Sequence, residues 1–119
     1  LDRVLAAARA AASKKAEDIL ILDVAALIGI TDHFLICTGN TQRQVRTIAE
    51  EVQSKLREDA IKPYRTEGER EGRWILLDYL DFVVHVFHAE EREFYRIERL
   101  WQDAPVVAFE ESETATSGA

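Results

Sequence analysis

The apolar positions of this chain follow two periods, and the switches between them mark out its elements. Leu1, Val4, Leu5, Ala8, Ala11 and Ala12 recur at helical spacing, so a first helix is expected over residues 1–15. Asp2 near its start and Lys14 and Lys15 near its end suit the helix dipole. Ile19 to Val24 is a short apolar run broken only by Asp23, which reads as a buried strand. His33 to Thr38 reads as a second strand, after a turn at Gly29. Gly39-Asn40 is a loop signal, and Thr41 with Gln44 three residues on is a capping box. The next helix carries Val45, Ile48, Ala49, Val52 and Leu56 on one face.

Ile61 to Thr66 reads as a short edge strand, because Pro63 cannot sit in a central one. A charged loop, Glu67 to Gly72, leads into two period-2 stretches, Arg73 to Tyr79 and Phe82 to His88. These predict a hairpin. A last helix is expected from about Glu90 to Gln102, with Phe94, Ile97, Leu100 and Trp101 as its apolar face and Pro105 as its stop. Helix, two strands, helix, two or three strands, helix predicts a mixed sheet of four to five strands with packed helices, in an α/β or α+β fold. One domain over residues 1–109 follows, with 110–119 as an acidic tail too polar to build a core.

Composition narrows the function. Hydrophobic residues make up 47% of 119, enough for one cored domain. No run approaches the roughly 20 apolar residues of a membrane helix, and no secretory signal is legible. One cysteine, Cys37, cannot make an internal disulfide and reads as a core hydrophobe, so a cytoplasmic setting is expected. The net charge is -7, from 22 acidic and 15 basic residues. Strong direct nucleic-acid binding draws on basic stripes that displace phosphate counterions, so a basic protein partner is the better match.

The candidate chemistry sits in the hairpin. Alternation places Trp74, Leu76 and Asp78 on one face of its first strand and Ile75, Leu77 and Tyr79 on the other. Trp74 reads either as an interface anchor or as a core residue under a helix. Asp78, Asp81, Glu67, Glu69 and Glu71 surround it in sequence, as an acidic rim or simply as a solvated edge. An enzymatic alternative would use Gly39-Asn40-Thr41 as a phosphate cradle, with Asp23 or Asp32 holding magnesium. No activated nucleophile stands out, and His33, His85 and His88 lack a metal-ligand spacing. No cofactor is expected.

Several blocks together resemble one family. Thr31 through Thr41, Gln44-Val45, Glu67-Gly68, Gly72, Trp74 through Tyr79, Asp81, Val83 through Phe87, Phe94-Tyr95, Glu98, Leu100 and Trp101 resemble the ribosomal silencing factors, also called Iojap-related. The resemblance covers roughly residues 1–104. It implies a nucleotidyltransferase-like fold without transferase activity. It implies docking on the large ribosomal subunit through its interface protein number fourteen, steric blocking of small-subunit joining, and a homodimer when free. The family's partner-binding tryptophan matches Trp74 and its apolar neighbour Ile75. Leu76, Asp78, Tyr79, Asp81 and His85 fall in the same block. Family members commonly carry glycine where this chain has Leu80, which bears on the turn between the strands.

Overall fold

The computed structural model describes residues 1–109; the expected tail at 110–119 lies outside the described residues. The elements in chain order are helix α1 (Asp2–Ser13), strand β1 (Glu17–Asp23), a one-turn helix α2 (Ala25–Ile28), β2 (His33–Gly39), α3 (Gln42–Glu58), β3 (Arg65–Glu67), β4 (Trp74–Asp78), β5 (Phe82–His88), α4 (Ala89–Tyr95), a 3-10 turn (Ile97–Arg99) and β6 (Val106–Val107). The strands form one six-stranded sheet in the order β3-β4-β5-β2-β1-β6. Among the described residues the central β2–β5 pair alone is parallel, and the other pairings are antiparallel.

The sheet has two unlike faces. Leu35 and Cys37 of β2, Ile75 and Leu77 of β4 and Val84 and Val86 of β5 point to one side, where α1 and α3 cover them. The apolar stripe of α3 is buried as its spacing predicts. Ala7, Ala8, Ala10 and Ala11 of α1 are also buried. Their small side chains let the two helices close over the sheet at short range. The opposite side holds a smaller core of Leu22, Val24, Ile36, Phe87, Ile97 and Ala104, with Phe34, Trp74 and Trp101 packed against it.

Three expectations change and one element is new. The sheet has six strands rather than four to five, because Val106–Val107 adds to the edge of β1. The edge strand begins at Arg65, after Pro63, so the proline stands outside the ladder. The run Ala25–Ile28 is helical; Gly29 ends it in the left-handed conformation. The last helix stops at Tyr95, because Arg96 turns left-handed with φ 46°. That turn drives Ile97 into the core and leaves Phe94 and Leu100 exposed, so the expected continuous apolar face does not form.

Candidate functional site

Alternation along β4 and β5 sends Trp74, Leu76, Asp78, Val83, His85 and Phe87 to the side away from α1 and α3. Trp74 lies opposite Phe87, Leu76 opposite His85 and Asp78 opposite Val83. Helix α4 and the chain after it cover only one end of this face. Arg92 pins them there: its guanidinium donates to Thr38 Oγ1 at 2.8 Å, to the Asp18 carbonyl at 3.1 Å and to Glu98 at 3.2 Å. The end over β4 and the β4–β5 turn stays open.

Trp74 sits where covered face meets open face. Its indole stacks on Phe87 at 4.7 Å and meets Tyr95 at 5.1 Å, and it remains partly exposed. Its Nε1–H donates to His85 Nδ1 at 3.2 Å. With Nδ1 accepting, the proton of neutral His85 resides on Nε2. Burial pushes His85 down to about 4, which keeps the ring neutral near pH 7. Phe34 packs edge-on against His85 at 4.9 Å, and Trp101 against Phe34 at 5.7 Å. An aromatic row therefore crosses the sheet, with half-buried tryptophans, Trp74 and Trp101, at its two ends.

Beside that row lies an apolar groove of about 350 Å³, walled by Ile28, Ile30, Phe34, Leu76, Leu80 and Val83 and closed by Asp78 and Arg65. Ile30 and Leu80 are largely exposed at its mouth. Leu80 occupies the centre of a tight turn at φ 73°, with Asp81 N–H donating to the Tyr79 carbonyl at 2.9 Å. A hydrogen bond across one residue at positive φ is a strained γ-turn. Asp78 offsets that strain, because its Oδ1 accepts from Leu80 N–H at 2.9 Å. Asp81 stands exposed at the rim, and its carbonyl accepts from Asp32 and His33 N–H, tying the turn to β2.

The seven candidate residues thus separate. Trp74, Leu76, Asp78 and His85 share the open face, and Asp81 borders it. Ile75 and Tyr79 point to the helix-covered side. Ile75 has no exposed surface, and Tyr79 stacks on Phe82 at 4.9 Å. Burial raises the Tyr79 phenol to about 12, opposed by nearby Arg57. Phe34, Ile28, Ile30, Val83 and Tyr95 also line this surface. Alternation in β2 could have nominated Phe34; nothing in the sequence pattern brings α2 or Tyr95 to it.

The enzymatic alternative loses its geometry. Asp23 pairs with His33 at the start of β2, whereas Gly39 ends that strand. Six residues at about 3.3 Å each separate aspartate and supposed cradle by roughly 20 Å. The cradle itself is a complete cap: Thr41 Oγ1 accepts from Gln44 N–H at 3.0 Å, and Gln44 Oε1 from Asn40 N–H at 2.7 Å. Gly39 serves close packing, since a Cβ there would lie 3.0 Å from Val45 Cγ2. His88, Glu90 and Glu91 come near enough to share a metal ion. Arg73 already holds both carboxylates, at 2.7 Å and 2.5 Å, and draws Glu91 below its usual range.

Fold and surface together define a class: an α/β protein that leaves one acid-rimmed apolar sheet face open. The chain belongs to the ribosomal silencing factor family. The family model described as "Ribosomal silencing factor during starvation" matches residues 1–119. Members of this family are non-enzymatic, ribosome-associated regulators of translation. The chain is 48% identical over 100 residues to the ribosomal silencing factor of Bacillus subtilis, covering 84% of this chain and 85% of that one. It is 34% identical to the chloroplastic Iojap protein of Zea mays, covering 82% of this chain and 42% of that longer one. Among solved structures, a Chromobacterium violaceum protein matches with TM-score 0.83 at 36% identity, over 85% of this chain and 84% of that chain. A Bacillus halodurans protein matches with TM-score 0.81 at 40% identity, over 91% and 98%.

Proposed function

We propose that the open face docks on the large ribosomal subunit through its interface protein number fourteen, and that the bound chain keeps the small subunit from joining. The observation that carries this reading is the position of Trp74. It is partly exposed, held by Phe87, Tyr95 and His85, and placed at the border between the covered face and the open apolar surface. Rigid aromatic side chains in such places dominate interfaces, since they bury much area at little rotamer cost. Asp78, Asp81 and Glu67 give the surface the sign that attracts a basic protein. Ribosomal RNA repels the same charge, so docking is confined to exposed protein. Ile75 and Tyr79 act from beneath, by setting the height and tilt of β4. Silencing is steric and needs no turnover: a body of 37 × 29 × 27 Å occupies space the other subunit must fill. Off the ribosome, we propose that the chain forms a homodimer. The setting is the compartment that holds the ribosomes.

Sucrose-gradient sedimentation with purified large subunits tests the reading. Trp74→Ala is expected to cost about 2–4 kcal/mol of binding, read as loss of co-sedimentation. Because Trp74 also packs on Phe87, Leu80→Asn provides a milder surface change: asparagine tolerates positive φ and removes the exposed side chain. Folded variants of both that co-sediment as fully as wild type would overturn the proposal.

A further inference from the structure

We infer that the groove beside Trp74 receives an apolar side chain flanked by a lysine or arginine of the incoming protein, and that Arg65 holds the place of that cation in the free chain. This rests on the docking reading above and specifies its ligand chemistry.

Asp78 ends the groove, and its two oxygens have separate duties. Oδ1 accepts from Leu80 N–H and belongs to the turn. Oδ2 faces Arg65 Nε at 3.4 Å. Arg65 lies directly opposite Asp78 in the β3–β4 ladder, on the short edge strand of the sheet. The pair is lopsided: the Asp78 side chain is 18% exposed and that of Arg65 57%. Arg65 also has a closer partner, since its Nη1 lies 3.0 Å from Glu67 Oε2. It can leave Asp78 and keep Glu67. Asp78 has no second cation among the described ion pairs, so a partner's cation can take Oδ2 at small cost.

The groove walls indicate what accompanies that cation. Ile28, Phe34, Leu76, Leu80 and Val83 form an apolar trough large enough for one side chain. Two polar atoms in its lining, Thr31 Oγ1 and His85 Nε2, have no hydrogen-bond partner among the described residues, and both side chains are more than nine-tenths buried. Unpaired groups of this kind raise the energy of the free state and keep this end of the trough from closing up further. A basic segment presenting an apolar side chain and a neighbouring cation matches both the trough and the exchangeable oxygen of Asp78.

Binding of purified large subunits by Asp78→Asn, Arg65→Gln, the double variant and Lys55→Gln tests the inference. Asparagine keeps the Oδ1 acceptor, so the turn survives. Asp78→Asn is expected to bind about tenfold more weakly. Arg65→Gln removes the internal competitor and is expected to bind about threefold more tightly. That gain should vanish in the double variant. Lys55, on the far side of the molecule, controls for net charge and should give no gain. Arg65→Gln binding equal to or weaker than wild type, or a gain that persists without Asp78, overturns the inference. Trp74→Ala, measured in parallel, separates the failures. If it abolishes binding while Arg65→Gln gives no gain, the cation-exchange idea alone falls. If it binds as wild type does, the docking reading falls and takes the inference with it.

Discussion

His85 is the residue whose environment has the clearest measurable consequence. It is buried and neutral, with Nδ1 accepting from Trp74 and burial pushing it down to about 4. In the unfolded chain it titrates near its ordinary value of 6.5. Between those values the unfolded state binds the extra proton, so acid favours unfolding. This part of the stability is complete above pH 6.5, falls as pH drops toward about 4, and is level below that. The total is roughly 3 kcal/mol. Urea unfolding from pH 7 to 4 should show this decline, and His85→Gln should flatten it. Glu91 acts lower on the scale: its carboxyl is depressed by Arg73, so its share is present above its ordinary value of 4.5 and is lost below it. Residue identity alone could not reveal any of this. Sequence shows a histidine in an apolar strand; only the cross-strand register puts it beside an indole N–H. Trp74 is ambiguous for a related reason: its spacing suits core and surface alike, and the structure leaves it half-buried, packed on the smaller core yet partly exposed.

At the scale of elements, legibility followed the length of the pattern. Helix α3 has 17 residues with a capping box and a clean stripe, and β4 and β5 alternate without interruption; all three appear where their periods place them. The elements that were missed or misjudged are short or end on backbone geometry. Val106–Val107 is a strand only because β1 offers it an edge, and α4 stops at a left-handed arginine that no propensity demands. The connection into β4 depends on backbone as well. Gly68 has φ 81°, and a Cβ there would lie 2.0 Å from the Trp74 carbonyl oxygen. Gly68→Ala must therefore move the start of β4. It is expected to destabilise the fold by at least about 2 kcal/mol, from the positive φ and the clash together. Chemical denaturation would measure this. Large-subunit binding by whatever fraction remains folded should weaken too, because the strand that moves carries Trp74.

For the whole molecule, the sequence conveyed class and charge but not which side of the sheet lies bare. That depends on how far α4 and the following chain extend across it. Arg96 and Arg92 set the limit, the first by turning the chain and the second by anchoring it to Thr38. The net charge of -7 sets how the bare side meets a partner. Association with the isolated basic interface protein should slow by on the order of tenfold between low and moderate salt, as steering is screened. Dissociation should change less, because most of the groove wall is apolar and only Asp78 offers a negative charge to the occupant. Stopped-flow kinetics across an ionic-strength series would check this; an association rate indifferent to salt would mean that the acidic rim plays no part in encounter.

The parallel pairing of β2 with β5 bears on when this protein becomes competent. β2 cannot complete its hydrogen bonds until α3, β3, β4 and β5 have all followed it along the chain. Pairing between such distant stretches forms late in folding. The aromatic row takes Phe34 from the early half and Trp74 and His85 from the late half, so it needs both halves of the sheet in place. A chain that stops short of His85 therefore lacks the row altogether, and any docking that depends on it waits for the later half of the sheet to close on the earlier one.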